Sequence, residues 1–432
     1  MIEPKVLKGF KDSLPNQELA RQQLISEVQN IFRRFGFVPI DTPALEYTEV
    51  LLGKGGGETD KQMFRFMDNG NRDVALRFDL TVPLARYVAA NYNNLAFPFK
   101  RYHIAKVWRG EKPQKGRFRE FMQCDFDIVG VDNAQSDFEI LQLIHTCLTK
   151  MKVGEFKVSV SHRGLLNRFL ASMGLEASSV QVLRAIDKLG KIGRDGVCAC
   201  LKEDGLSDDA IEKLLDFISI EKNSFGATLD ILKNMFGACP EIERLEAIYS
   251  YMKACNIEKD FILDTSITRG LDYYTGIVYE TVLVNMPSIG SICSGGRYNN
   301  LAGLYTKEKL PGVGSCIGLD RLIAALEELG SPIVRGSSYA DLLVAYDSNN
   351  PEWSLKTANF FRDKGLRVDY YVGEKSLGQQ CAYAEHNGIP TVVISGDGKP
   401  YYTLKDIASR KVYEDHVDGI FKSAMYRRYP EE

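Results

Sequence analysis

The 432 residues include two tryptophans and five histidines, and they contain no Cys-x-x-Cys pair and no uninterrupted apolar run of membrane-spanning length. A bilayer-crossing helix needs roughly 20 apolar residues, so no membrane segment is expected. The opening Met1-Ile-Glu-Pro-Lys5 lacks the apolar core of an export signal. Nine cysteines are scattered along the chain, and the closest spacing, Cys198-Ala-Cys200, has no His or Cys nearby to complete a zinc set. An odd cysteine count without an export signal leads to the expectation of reduced thiols and a cytoplasmic location. The histidines, at 103, 145, 162, 386 and 416, match no metal or triad spacing. No resident metal and no Ser–His or Cys–His nucleophile is therefore expected. A strong charge of one sign is also missing: 54 Lys and Arg against 57 Asp and Glu give −3. Any contact with nucleic acid must rest on local patches.

What the chain does have is the make-up of a globular protein, 44% hydrophobic and 26% charged. Its length suggests two or three domains. Residues 16–35 read as an amphipathic helix with Leu24, Val28, Ile31, Phe32 and Phe35 on one stripe, Asn16 as N-cap and Gly36 as stop. Strand-like runs follow at Phe37–Ile40, Val74–Phe78, Lys100–Trp108 and Phe121–Val129, with helical stretches at about 80–92 and 135–151. Residues 175–260 are mostly helical in pattern, and strand-rich sequence returns at Ile267–Val284. Gly330-Ser-Pro and Arg335-Gly-Ser-Ser read as a linker. Beyond it strands at 340–346, 366–371 and 390–395 alternate with helices at 352–364 and 376–387, the pattern of a mostly parallel sheet. The expected plan is an α+β core on an antiparallel sheet over residues 1–172 and 263–330. It is interrupted by a helical insertion, 173–262, and followed by an α/β domain, 338–432.

The densest chemistry lies between Lys100 and Arg119, where eight Lys or Arg accompany a single acid, Glu111. A basic loop pinned between strands, with Pro113 and Gly116, suits several phosphates at once, because arginine meets phosphate with a planar fork. A solvated charged hairpin is the plainer alternative. Arg109, Arg269 and Arg321 stand in positional settings: at a strand end, in Ile267-Thr-Arg-Gly-Leu-Asp-Tyr-Tyr-Thr-Gly276, and opening a helix after a glycine-rich strand. Arginine in a first helical turn opposes the helix dipole, and a bound anion would give it a reason to be there. Gly314 and Gly318 remove side chains where a ligand or backbone could approach. Asp79 and Thr81, Gln123 and Asp127, and Tyr273 and Tyr274 form a second set, suited to an ammonium group and a ring with N–H donors. Gln123 and Asp127 share one strand face. A pocket and a solvent-facing strand edge remain equally open for them. Gly295-Gly-Arg-Tyr298 reads as a tight turn followed by an aromatic.

Taken in order, these segments resemble the class II aminoacyl-tRNA synthetases, and most closely the histidyl-tRNA synthetase family. Leu7-Lys-Gly-Phe-Lys-Asp12 is similar to the family's opening motif. The helix, strand and Pro43 resemble motif 1, Arg109 to Asp127 motif 2, and Gly314 to Arg321 motif 3. Arg269–Tyr274 and Gly295–Tyr298 resemble two signatures peculiar to the histidine enzyme. The resemblance covers nearly the whole chain. It implies ATP-dependent activation of L-histidine to histidyl-adenylate, with ATP as substrate and Mg2+ sharing its phosphate charge, and transfer to the 3′ end of histidine tRNA. Arg109 and Arg269 would be catalytic, on the α-phosphate side. Glu111, Arg117, Phe121 and Arg321 would complete the ATP site with Arg109. Asp79, Thr81, Gln123, Asp127, Arg269, Tyr273 and Tyr274 would bind histidine, Asp127 and Tyr274 reading the imidazole. Lys112, Gln114 and Lys115 would approach the tRNA acceptor stem. A homodimer and an anticodon-binding role for 338–432 follow from the same resemblance.

Two departures bear on this. Several family members carry Glu where this chain has Asp79 and Asp127. The region after residue 335 has 12 Lys or Arg and 14 Asp or Glu, so a small stacking surface rather than bulk charge would have to meet RNA. Two other readings compete: a catalytically inactive synthetase-like regulatory subunit of histidine biosynthesis, and a class II synthetase for glycine, threonine or proline. The presence of Arg109, Gln123, Arg269 and Arg321 speaks against the first, and the Arg269–Tyr274 signature against the second.

Overall fold

The computed structural model describes residues 1–53, 58–187, 189–267, 273–331, 333, 338–396 and 400–428. The chain divides into two compact units, Met1–Lys11 with Leu24–Leu326, and Asp12–Gln23 with Glu327–Glu432. Strands of the first unit are β1 Val38–Pro39, β2 Leu45–Tyr47, β3 Arg65–Met67, β4 Asp73–Leu76, β5 Phe99–Trp108, β6 Glu120–Val129, β7 Phe156–His162, β8 Phe261–Leu263, β9 Ile277–Leu283, β10 Cys293–Tyr298 and β11 Gly312–Gly318. Those of the second are β12 Leu342–Val344, β13 Val368–Tyr370, β14 Thr391–Ser395, β15 Tyr401–Asp406 and β16 Val412–His416.

The main sheet of the first unit has eight strands in the order β1-β5-β6-β11-β10-β9-β7-β8. All neighbours are antiparallel except the two edge pairs, β1 with β5 and β7 with β8. The α+β core on an antiparallel sheet is therefore as expected. Its long central pair, β5 and β6, stays in register from Phe99 opposite Val129 to Trp108 opposite Glu120.

Alternation along β6 sets up the site. Cys124, Phe126 and Ile128 face one way, and Gln123, Asp125 and Asp127 the other. The apolar face is covered by helices. Phe32, on the helix Pro15–Arg34, lies 5.0 Å from the ring of Phe126 and 5.2 Å from that of Tyr102. Leu24, Val28, Ile31 and Phe32 of that helix are all buried, each worth roughly 1.5–3 kcal/mol when removed from water. The helix begins at Pro15, whose fixed φ suits a first position, so Asn16 lies inside it rather than capping it. A second helix, Ala134–Lys150, packs against β6 and β11 and buries Ile140, Leu141, Ile144 and Leu148. Asn133 caps it, accepting a hydrogen bond from the Ser136 amide at 2.8 Å.

A small sheet, β2-β4-β3, feeds the helix Thr81–Ala90. Its Ala75, with Phe78, Val82 and Ala85, forms a core cluster with Tyr298, against which Tyr273 and Tyr274 pack. Five helices, Ser179–Asp187, Leu189–Glu203, Asp208–Ile218, Phe225–Phe236 and Pro240–Ala254, occupy the stretch read as helical.

The second unit carries a five-stranded sheet ordered β13-β12-β14-β15-β16. Only β13, β12 and β14 are parallel; β15 and β16 run antiparallel, so the sheet is mixed rather than mostly parallel. The reason is the hairpin β15–β16, closed by the Asp406 amide donating to Lys411 O at 3.0 Å. The alternating pattern ended at residue 395 and did not reach it.

Candidate active site

The polar face of β6 is sealed from water. Gln123 is 7% exposed, and Asp125 and Asp127 are each 2% exposed, which removes the solvent-edge reading for Gln123 and Asp127. Asp127 is held by its neighbours. Arg101 stands opposite it on β5, wholly buried, with Nη2 2.7 Å from Oδ2 in an ion pair whose alignment falls short of a directed hydrogen bond. Tyr298 Oη donates to Oδ1 at 2.5 Å. Gly314 faces Asp127 on β11; a Cβ there would lie 1.9 Å from Oδ1, so only glycine leaves room for the carboxylate. Burial raises the Asp127 pKa, with Arg101 and the Tyr298 hydrogen bond acting against it.

Asp79 precedes the helix Thr81–Ala90, and its Oδ1 accepts from the Val82 amide at 3.0 Å. Its Oδ2 is buried without a partner among the described residues. Burial pushes its pKa up to about 6, opposed by the Val82 amide bond and by Arg109. Gln123 Nε2 donates to Cys316 Sγ at 3.0 Å, and its Oε1 has no partner among the described residues. Thr81 lies within side-chain hydrogen-bonding reach of Tyr273, whose ring lies 4.9 Å from that of Tyr274. Burial raises the pKa of both tyrosines, so they stay neutral and able to donate.

The basic loop adjoins this pocket at the end of β5. Arg109 Nε donates to Phe78 O at 2.9 Å, and its guanidinium lies 5.2 Å from the centre of the Phe121 ring. Reciprocal amide bonds between Gln114 and Arg117, 3.1 and 2.9 Å, close the tip, where Gly116 adopts φ 68°. Arg117 lies 3.8 Å from Glu111. A Cβ on Gly116 would be 3.4 Å from Arg321 Cγ, so the tip reaches the start of the helix Leu319–Glu328. Arg321 donates through Nη1 to Ser291 O. Its pKa is lowered by burial first, then by the like charge of Arg117 and of Arg109, against the one acid Glu111. The opening motif braces this loop: the Arg119 amide donates to Gly9 O at 2.7 Å, and a Cβ on Gly9, already at φ +88°, would sit 2.7 Å from Arg119 Cδ.

Among the expected residues, then, Arg109, Glu111, Arg117 and Arg321 come together, as do Asp79, Gln123, Asp127, Tyr273 and Tyr274. Phe121 lies under Arg109, and Thr81 lies beside Tyr273. Lys112, Gln114 and Lys115 are exposed on the loop. Arg269 lies outside the described residues. Gly295-Gly296 are not a turn but interior positions of β10. A Cβ on Gly295 would meet Gly314 O at 2.1 Å, and one on Gly296 would meet Tyr274 Cδ1 at 2.9 Å. The two glycines thus let β11 and Tyr274 come close. Sequence reasoning overlooked Arg101, Asp125 and Cys316. Asp125 was within reach: it lies two residues from both Gln123 and Asp127, on the same face.

An antiparallel sheet of this order, with a basic strand–loop–strand beside a glycine-rich strand that runs into an arginine-bearing helix, is the catalytic fold of the class II aminoacyl-tRNA synthetases. The family model described as histidyl-tRNA synthetase matches residues 9–322. The histidine--tRNA ligase of Treponema denticola is 52% identical over 396 residues, 90% of this chain and 88% of that protein. The crystal structure of histidyl-tRNA synthetase from Nostoc sp. PCC 7120 superposes with a TM-score of 0.87 at 33% identity, covering 99% of this chain and 100% of that one. A Bacillus halodurans structure titled as an ATP phosphoribosyltransferase regulatory subunit/histidyl-tRNA synthetase shares the fold, at 21% identity and TM-score 0.74 over 89% of this chain and 97% of that one. The chain belongs to the histidyl-tRNA synthetase family.

Proposed function

We propose that this protein activates L-histidine with ATP and transfers the histidyl group to histidine tRNA. A histidine carboxylate oxygen attacks the α-phosphorus of ATP, the bond to the bridging oxygen breaks, and pyrophosphate leaves. The 3′-terminal hydroxyl of tRNA then attacks the histidyl carbonyl, and AMP leaves. The observation that carries this reading is the meeting of Arg109, Arg117 and Arg321 around one acid, Glu111, beside a pocket whose buried acceptor oxygens lack partners among the described residues. Cations there stabilise charge that develops on transferring phosphate, and the pocket's acceptors hold an ammonium in line for attack.

Arg109 and Arg269 act on the α-phosphate side, and Arg321 holds the distal phosphates. Glu111, Arg117 and Phe121 position the nucleotide. Mg2+ arrives as part of the ATP substrate and shares its phosphate charge. Asp79, Thr81, Gln123 and Tyr273 surround the amino-acid end of histidine, with Asp127 and Tyr274 on the side of its ring. Lys112, Gln114 and Lys115 meet the acceptor stem, and residues 338–432 the anticodon arm. The protein works in the cytoplasm as a homodimer.

The intact arginine set and the 52% identity to a histidine--tRNA ligase over 90% of the chain favour catalysis over the regulatory reading. The test is ATP–pyrophosphate exchange with each amino acid in turn. Exchange above background with histidine alone is expected. A folded protein that gives none with histidine and Mg2+ present would leave the regulatory reading in its place.

A further inference from the structure

Residues 273–276 carry Tyr273 and Tyr274 but belong to no strand; β9 begins only at Ile277. Their backbone is held from two sides. On one side stands Arg163, the first residue of the helix Arg163–Ser172. Its amide donates to Gly276 O at 2.9 Å, and its Nη1 donates to Tyr274 O at 2.9 Å. Arginine in a first helical turn opposes the helix dipole, and the Tyr274 carbonyl supplies a compensating partner. On the other side lies the end of β10. The Thr275 amide donates to Arg297 O at 2.7 Å, and the Thr275 hydroxyl accepts from the Asn299 amide at 3.0 Å. A Cβ on Gly276 would lie 3.0 Å from Arg297 Cδ, so the segment rests on the stem of that arginine.

Both supports lead to one helix, Pro240–Ala254, the last in the helical stretch. Glu241, in its first turn, pairs at 2.9 Å with Arg168 on the helix that begins at Arg163. A Cβ on Gly164 would sit 2.8 Å from Glu241 Cγ, so the starts of the two helices touch. Arg244, about one turn on, donates Nε to Asp137 Oδ2 at 2.6 Å and Nη2 to Asp132 Oδ1 at 2.7 Å. The other oxygen of Asp137 accepts from Arg297 Nε at 2.8 Å. Arg297 also donates to Val131 O, Asn299 Oδ1 and Ser136 Oγ. Asp137 is wholly buried and Arg297 is 3% exposed, so this bridge is shielded from water and its guanidinium is committed to protein groups.

We propose that Glu241 and Arg244 are positioning residues for the amino-acid site. Glu241 acts through the helix that bears Arg163, and Arg244 acts through Asp137 and Arg297; both routes end on the backbone around Tyr274. The inference rests on Tyr274 lying against bound histidine, as in the proposed function. Neither residue is among the proposed ATP or histidine contacts. An irregular segment has no sheet ladder of its own, so a side chain on it keeps its aim only while its carbonyls and amides stay held. Loosening either support frees Tyr274 and leaves the phosphate-side arginines where they are, because Arg109 is anchored on Phe78 O and Arg321 on Ser291 O. The amino-acid end of the reaction should suffer and the nucleotide end should not. On this reading the last helix of the insertion is a working part of the catalytic core rather than an appendage to it.

The test is steady-state, histidine-dependent ATP–pyrophosphate exchange by the full-length wild type, Glu241→Gln, Arg244→Met and the double variant, with thermal stability followed in parallel. Glu246→Gln is the control, because Glu246 lies on the same helix but pairs with Lys233 on the helix Phe225–Phe236. Each single variant should raise the KM for histidine at least about threefold, and the double variant at least about tenfold, within the roughly 10²-fold that a misplacement of about 1 Å can cost. The KM for ATP and kcat should change by less than about twofold, as should every constant of Glu246→Gln. A merely structural role lowers the folded fraction, so that kcat and stability drop while both KM values hold. That result overturns the assignment, and so does a histidine KM less than about threefold above wild type in the folded variants, or a control that shifts it as far. If Arg244→Met does not fold, Glu241→Gln, which keeps size and shape, decides alone. A wild type that gives no histidine-dependent exchange would instead sink the proposed function, so the two failures are distinct.

Discussion

The loop between β5 and β6 and the inner face of β6 are a few residues apart in the chain and opposite in nearly every physical respect. The loop is basic, and Lys112, Gln114 and Lys115 at its tip are exposed. The strand face is acidic and sealed, with Asp125 and Asp127 each 2% exposed. Solvent screens the loop's charges; the strand's charges are exposed to a low dielectric, and their pKa values move. The loop suits a polyanion that brings its own charge. The buried acceptors of the pocket suit donors from a ligand. Each region therefore responds to a different experimental lever, and the comparison can be broken at four points.

The largest effect should come from the pocket's structural pair. Arg101 is wholly buried, and Asp127 is its salt-bridge partner at 2.7 Å. Removing one member of such a pair strands the other charge, at a cost of roughly 3–5 kcal/mol. Asp127→Ala should lower the unfolding free energy in urea by about that amount, whereas Asp125→Asn should not. A loss below about 1 kcal/mol for Asp127→Ala would mean that Arg101 finds another partner.

Next comes Arg109, the cation proposed to act on the α-phosphate. Arg109 is anchored on Phe78 O and Phe121. Arg109→Ala should slow histidine-dependent pyrophosphate exchange at least about 10²-fold, the scale of losing one electrostatic donor to a transition state. Arg269→Ala carries the same expectation. Stability should fall by less than about 1 kcal/mol in either variant. Near-normal exchange would move the α-phosphate contact elsewhere in the site.

How much of this was legible beforehand follows from the same contrast. A cluster of arginines with Pro and Gly in a short loop is a local signal, and the loop, its flanking strands and the helix bearing Arg321 were all readable from residue order. The helix stripe Leu24–Phe32 was readable for the same reason. The pocket depends on partners distant in sequence. Arg101 meets Asp127 only because β5 and β6 pair in register, and Tyr298 reaches Asp127 only because β10 and β11 lie close, through Gly295 and Gly314. Gly295-Gly296 resembled a turn because glycine pairs commonly make one; here they are strand positions freed of side chains. Asp125 went unremarked although the period-two rule that paired Gln123 with Asp127 also includes the residue between them. In the second unit, the hairpin β15–β16 escaped a pattern that ended at residue 395.

The third point of attack is pH, which should act on the pocket and spare the loop. Asp125 rises from an ordinary 3.8 to about 7, and Asp79 from 3.8 to about 6, chiefly through burial. An acid whose folded pKa is raised binds its proton more tightly when folded. Its contribution is complete below about pH 4 and is lost as pH climbs through the folded value. Between pH 5.5 and 8 the wild type should therefore lose stability, on the order of 1–3 kcal/mol. Asp125→Asn should flatten the upper part of that curve, because an amide has no proton to lose. Urea titrations at several pH values would show it; parallel curves for wild type and variant would mean that Asp125 is already ionised at pH 5.5 in the folded protein.

The smallest effect should come from the tip of the loop, and salt is its lever. Lys112 and Lys115 are exposed, and each is proposed to neutralise one phosphate of the tRNA acceptor stem. Binding of that kind releases condensed counterions, so log affinity falls linearly with log salt, and each phosphate contact removed should lower the slope by about 1. Lys112→Ala and Lys115→Ala should each weaken tRNA binding a few-fold at low salt and hardly at all at high salt. Pyrophosphate exchange, which involves no tRNA, should change by less than about twofold. If exchange fell as steeply as charging, the two lysines would belong to the ATP site. The boundary between a screened loop that meets RNA and a loop base that meets the nucleotide would then lie nearer the tip than Arg117.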